Sequence, residues 1–104
     1  MFDVLRFYHF DHGVRVLELG CGTGVYTRKL AKKFPGLGIT AIDISEKIIS
    51  IAKEKLKKYK NVKFKVASAY NTGLRASSVD VVFGFYVLHH LDLEKVVSEI
   101  SRVL

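Results

Sequence analysis

Two spacings of apolar residues alternate along this chain, one suited to strands and one to helices. Val14-Arg15-Val16-Leu17-Glu18-Leu19 is a short, largely apolar run that predicts a first strand. Val25, Tyr26, Leu30, Ala31 and Phe34 then recur at helical spacing. Pro35-Gly36 ends that helix, because the residue before a proline is driven out of the helical region. Gly38 to Asp43 predicts a second strand. Ser45 is placed to cap a second helix whose buried stripe would be Ile48, Ile49, Ala52, Leu56 and Tyr59. Val62-Lys63-Phe64-Lys65-Val66 alternates strictly, as a half-exposed edge strand does. Val79 to Leu88 is nearly continuous apolar sequence, as expected of a parallel strand covered on both faces. Asp92 opens a last helix with the stripe Leu93, Val96, Val97, Ile100 and Leu104. Strands alternating with helices, without repeat or linker, predict an α/β fold: a doubly wound parallel sheet with right-handed crossovers.

The chemistry concentrates where the first strand ends. Glu18-Leu19-Gly20-Cys21-Gly22-Thr23-Gly24 runs from an apolar strand through a carboxylate into a glycine turn, and a helix follows at once. Glycines there reach backbone angles closed to other residues and let a ligand approach the main chain. In an α/β sheet the carboxyl end of a strand is where such a crevice forms. Two ligand classes compete for it. A dinucleotide turn reads G-x-G-x-x-G and rests a pyrophosphate on the following helix. Here Val25 stands where the third glycine of that pattern belongs, and Glu18 would set a like charge beside the phosphates. A cofactor carrying an ammonium group reverses that sign, and S-adenosylmethionine is such a molecule.

With these residues in view, the chain resembles the class I S-adenosylmethionine-dependent methyltransferases over almost its whole length. Glu18 to Gly24 matches their E-x-G-x-G-x-G stretch, and Asp43 in Ala41-Ile42-Asp43-Ile44-Ser45 matches the acid that closes their second strand. Val79-Asp80-Val81-Val82-Phe83 and Val87-Leu88-His89-His90-Leu91 look like their fourth strand and its exit, and Glu99 to Leu104 like the helix before their fifth strand. The resemblance implies a Rossmann-like sheet of strand order 3-2-1-4, here lacking the fifth to seventh strands. It implies S-adenosylmethionine as cofactor, held by Glu18, Gly20, Cys21, Gly22, Thr23, Gly24, Asp43, Ile44, Ser68, Ala69 and Phe85. In that family the acid at Asp43 holds the two ribose hydroxyls. Ser68-Ala69 stands where the family commonly has an Asp-Ala pair whose carboxylate contacts the adenine amino group, so a hydroxyl replaces the acid. A charge-assisted hydrogen bond is about twice as strong as a neutral one, which implies weaker cofactor binding here.

The implied reaction is methyl transfer to a small-molecule acceptor, with His89 or His90 as candidate base for a hydroxyl or thiol. His9 and His12 precede the first strand and are candidates for a cofactor lid. The alternatives are a module that binds the cofactor without turnover, completed by a partner chain, and a nicotinamide oxidoreductase. Methyltransferases of exocyclic base nitrogens often carry an Asn-Pro-Pro-aromatic turn after the fourth strand. Gly84-Phe85-Tyr86-Val87 stands there instead, which favours a small acceptor over nucleic acid.

Composition bounds the rest. One hundred and four residues suit a single small domain, 1–104, and the family resemblance makes it an incomplete one. An apolar fourth strand at the sheet edge invites self-association or a partner chain. The single cysteine excludes an internal disulfide and fits a reducing compartment, and Cys21 reads as a packing residue. No Cys/His spacing matches a metal site. The start, Met1-Phe2-Asp3-Val4-Leu5-Arg6, carries an early acid and no long apolar run, and the Val81–Leu88 tract is far shorter than the ~20 residues that span a bilayer. A cytoplasmic location is expected. The net charge is +7, and much of the basic excess falls between Lys53 and Lys65, which reads as a solvated helix face and edge strand more than a phosphate-tracking surface.

Overall fold

The computed structural model describes residues 13–84 and 92–104. In chain order they form β1 (Arg15–Leu19), α1 (Val25–Lys33), β2 (Gly38–Asp43), α2 (Glu46–Lys55), β3 (Val62–Val66), β4 (Val81–Gly84) and α3 (Leu93–Val103). The four strands make one parallel sheet in the order β3-β2-β1-β4. In register, Val16 faces Ile39 on one side and Val81 on the other, and Ile39 in turn faces Val62.

Strand pleating sends alternate side chains to opposite faces, and both faces are covered. Val16 and Ile39 meet Leu30, Ala31 and Leu37 on the α1 side. Ala41 packs with Ile49 of α2 and Cys21, with Phe64 against them. Leu17, Leu19 and Ile42 point the other way, to Val79 and to Val96 and Val103 of α3. This two-faced burial explains why β1 reads as a continuous apolar run.

The helix boundaries follow local chemistry. Ser45 accepts the Ile48 N–H and caps α2, whose Ile49 and Ala52, with Leu56 just beyond, are buried as the stripe requires. Asp92 caps α3 by accepting from Glu94 and Lys95 N–H. Phe34 closes α1 just before Pro35, its N–H bonded to Leu30 O.

The structure corrects three expectations. β4 begins at Val81 and not at Val79, and the expected continuation from Phe85 to Leu88 lies outside the described residues. Val25, one of the residues recurring at helical spacing in α1, is exposed, and Thr27 is buried beside Leu30 and Ala31. The buried face of α3 is Val96, Glu99 and Val103, while Leu93 and Val97 are 59% and 57% exposed and Leu104 is also exposed. The apolar arc of α3 is wider than the sheet can cover, so only its flank packs.

Glu99 is buried because it has partners. It accepts from Thr72 N–H and from Thr72 Oγ1 at 2.8 and 2.7 Å, and pairs with Arg102 at 2.7 Å. Arg102, then Thr72, hold its carboxyl down at about 2 against burial, which works the other way. Arg102 also donates to Leu74 O, so this cluster fastens the segment between β3 and β4 onto α3. Lys65 donates to Thr72 O at 2.7 Å, which half-buries it, whereas Lys53, Lys55, Lys57, Lys58, Lys60 and Lys63 are exposed. No helix among the described residues is long and apolar enough to cross a membrane.

Candidate functional site

β1 delivers Glu18 to the carboxyl edge of the sheet, and the chain turns through Gly20 to Gly24 into α1. Gly20, Gly22 and Gly24 have φ of +66°, +56° and +92°, a region that a side chain disfavours. Their surroundings differ. A Cβ on Gly24 would lie 3.0 Å from Leu56 Cδ1 and 3.7 Å from Ala52 Cβ, so this glycine seats the start of α1 against α2. A Cβ on Gly22 would meet nothing within 4 Å, so the main chain there faces open space. The turn is tied to β2 by Cys21 N–H donating to Ile42 O at 2.9 Å.

Glu18 is only 2% exposed, and Thr27 Oγ1 donates to its Oε1. Burial outweighs that bond and pushes the carboxyl up to about 7. Glu18 lines a cleft of about 300 Å³ together with Gly20, Gly22, Thr23, Tyr26 and Lys29. Cys21 lies in the same wall. Burial first, then the charges of Glu18 and Asp43, push its thiol up to about 12, which makes it a packing group and not a nucleophile.

Asp43 closes β2. Its Oδ2 accepts Gly22 N–H at 3.1 Å and its Oδ1 accepts Ser45 N–H at 3.0 Å. A carboxylate has about four acceptor directions, so each oxygen keeps one free. Asp43 lines a second cleft, about 190 Å³, with Ile44, Ser68, Ala69 and Tyr70. Gly20 borders both clefts and joins them. Ile44 is 79% exposed beside this second cleft, an aliphatic surface open to a flat ring. Ser68 forms a local turn there, its Oγ accepting Tyr70 N–H and its carbonyl accepting Asn71 N–H.

The structure therefore brings Glu18, Gly20, Cys21, Gly22, Thr23, Asp43, Ile44, Ser68 and Ala69 to one edge of the sheet. Gly24 adjoins them but serves helix packing. Phe85, His89 and His90, like His9 and His12, lie outside the described residues. Two contributors escape sequence reading. Thr27 fixes the Glu18 carboxylate, and its only signal is a polar residue on the inner face of α1. Tyr70 walls the second cleft, its phenol oxygen accepting Asp92 N–H at 2.8 Å. A ligand whose ammonium group and ribose diol donate hydrogen bonds fits this arrangement: a buried carboxylate, open backbone, then two acceptor oxygens. A diphosphate would face two carboxylates.

A family model described as a methyltransferase domain matches residues 16–104. Malonyl-[acyl-carrier protein] O-methyltransferase of Bacillus anthracis is 48% identical over 59 residues, covering 57% of this chain and 22% of that protein. A SAM-dependent methyltransferase from Aquifex aeolicus superposes with a TM-score of 0.86 at 30% identity, over 97% of this chain and 56% of that one. Phosphoethanolamine N-methyltransferase 2 of Haemonchus contortus, solved with phosphomonomethylethanolamine and S-adenosylhomocysteine, superposes at 0.84 with 32% identity, over 97% of this chain and 24% of that one. The chain spans between 15% and 25% of the length of the curated relatives it matches first.

Proposed function

This chain belongs to the S-adenosylmethionine-dependent methyltransferase domain family, and from that premise we propose that it forms the cofactor-binding part of an enzyme that methylates a small-molecule acceptor. The observation that carries the reading is the buried carboxylate of Glu18 beside an open glycine turn. Glu18 would face the amino group of the cofactor, the Gly20–Thr23 backbone would run along it, and the two free acceptor directions of Asp43 would take the ribose hydroxyls. Ile44, Ser68, Ala69 and Tyr70 would enclose the base. When bound, S-adenosylmethionine supplies a methyl group on a positively charged sulfur.

The contribution of these residues is placement. Asp43 and Glu18 are held by their own hydrogen bonds before any ligand arrives, and proximity with alignment can supply up to ~7–11 kcal/mol of a barrier in well-oriented systems. His89 or His90 would take a proton from a hydroxyl or thiol acceptor. The small size of the acceptor is supported by the relative solved with phosphomonomethylethanolamine, while another is named for a malonyl group carried on an acyl-carrier protein.

A second reading, binding without turnover by this chain alone, is favoured by one observation. The outer edge of β4 pairs with no strand among the described residues, which leaves it open to a strand from a partner chain. Calorimetric titration with S-adenosylhomocysteine and with NAD tests the cofactor assignment. Affinity for the first, lost in Asp43→Asn, is expected; preferential binding of NAD would reject it. Transfer of labelled methyl to a panel of small acceptors separates the two readings.

A further inference from the structure

A separate hollow of about 330 Å³ lies where β1, β2 and β3 begin, at the opposite end of the sheet from the two clefts above, and it shares no lining residue with them. Register and pleat shape it. Arg15 lies beside Gly38, and Thr40, on the same face two residues on, lies beside Lys63. α3 packs on this face over Leu17, Leu19 and Ile42 but lines no part of the hollow. The backbone does not require glycine at position 38, since its φ is outside the left-handed region. A Cβ there would come no nearer than 4.0 Å to Val14 O. The missing side chain therefore leaves room and nothing else.

The groups around that room are cationic or hydrogen-bonding. Arg15, Lys60 and Lys63 line it, and no carboxylate does among the described residues. Arg15 uses two of its five N–H donors on Asp80, at 3.1 Å each, and keeps three. The Lys63 ammonium and the Thr40 hydroxyl have no partner among the described residues. Ser78 also lines the hollow, and its buried hydroxyl is likewise unpartnered among them. A strained turn fixes that residue. Ser77 has φ +54°, and the Ser77 and Ser78 N–H groups donate to the carbonyls of Arg102 and Val103. Buried hydroxyls are rarely left unsatisfied, and backbone strain gathers at functional positions.

Cations beside hydroxyl donors suit a compact oxyanion of more than one charge. A phosphoryl group carries nearly two negative charges and three strong acceptor oxygens. Leu74 and Val79 add an apolar wall for a small organic group. We propose that this hollow binds a small phosphoryl anion, inorganic phosphate or a phosphomonoester, independently of the cofactor edge.

The test is calorimetric titration of the whole chain with inorganic phosphate and with phenyl phosphate, at a constant ionic strength of about 0.15 M. One saturable site is expected. Gly38→Val, which fills the hollow, should weaken binding at least about tenfold, and Lys63→Gln at least about fivefold with the melting temperature unchanged. Lys53→Gln removes an exposed lysine that does not line the hollow and should leave affinity within about twofold. Tighter binding of phenyl phosphate supports the site and assigns it to an ester; affinity no greater than for phosphate supports it and assigns it to the free ion. Lack of a saturable phase in the native chain overturns the proposal, as does affinity unchanged in Gly38→Val or in Lys63→Gln. A loss in Lys53→Gln equal to that in Lys63→Gln overturns it too, because it marks diffuse attraction of anions to the lysine-rich surface.

Discussion

Glu18 should release a proton when a ligand bearing an ammonium group settles above it. Burial pushes this carboxyl from 4.5 to about 7, so near pH 6 the unliganded protein holds it roughly nine-tenths protonated. A positive charge within a few ångströms of this buried carboxyl favours the ionised form and returns the group toward its ordinary value. The ligand then binds the ionised protein, and affinity falls as pH drops below 7. Between pH 7.5 and 5.5 the loss comes to about 20-fold, or about 1.8 kcal/mol. Titration with S-adenosylhomocysteine in two buffers of different ionisation enthalpy reads the proton directly. About 0.9 proton should leave near pH 6, and about 0.5 near pH 7. In Glu18→Gln, which keeps an oxygen for Thr27, both the release and the slope should vanish. A flat affinity across this window, or a slope that survives in Glu18→Gln, refutes the placement of the ligand's amino group at Glu18.

The same carboxyl governs stability without ligand. Its folded value lies above the unfolded one, so the folded state binds more protons between pH 4.5 and 7, and stability should fall by about 3 kcal/mol as pH rises through that window. Thermal melts from pH 5 to 8 should show this fall, and Glu18→Gln should flatten it. Glu99 has the opposite sign: held at about 2, it adds stability above pH 4.5 that is lost as pH falls toward 2, and Glu99→Gln should cost about 1–3 kcal/mol in urea unfolding at pH 7. Gly22→Ala should leave stability within about 1–2 kcal/mol of native yet abolish cofactor binding, while Gly24→Ala should lower stability further because its methyl also meets Leu56. Val97→Ser should change unfolding by under about 0.5 kcal/mol, and Val96→Ala by about 1–3 kcal/mol, although both belong to the same apolar arc of α3.

Most of the scaffold was legible in the sequence because its strands are short, apolar and bounded by turn chemistry. Gly38–Asp43 and Val62–Val66 appear in the structure with the bounds that their patterns predict. The stripe of α2 was legible for a related reason: Ile49, Ala52 and Leu56 meet a neighbour at every turn. α3 was not, because its apolar residues cover an arc wider than the contact, and periodicity cannot say which flank is used. Burial of Glu99 was invisible for another reason. Its partners Thr72 and Arg102 meet it only through tertiary structure, and no local pattern announces a satisfied carboxylate. In the candidate site, Glu18, Gly22 and Asp43 stood out because strand end, glycine and acid fall in a fixed order. Thr27 and Tyr70 carry no such signature, since each acts by touching a residue remote in sequence.

The paired backbone contacts of Asp43 have a thermodynamic consequence. Freezing a mobile side chain on association costs roughly 0.5–1.5 kcal/mol, and this acid is already aimed by Gly22 and Ser45. A nucleoside bound there as proposed would meet rotors that folding has stilled beforehand. The entropic toll of recognition is thereby shifted into the synthesis of the native state, and docking is left to proceed with little rearrangement of the receptor.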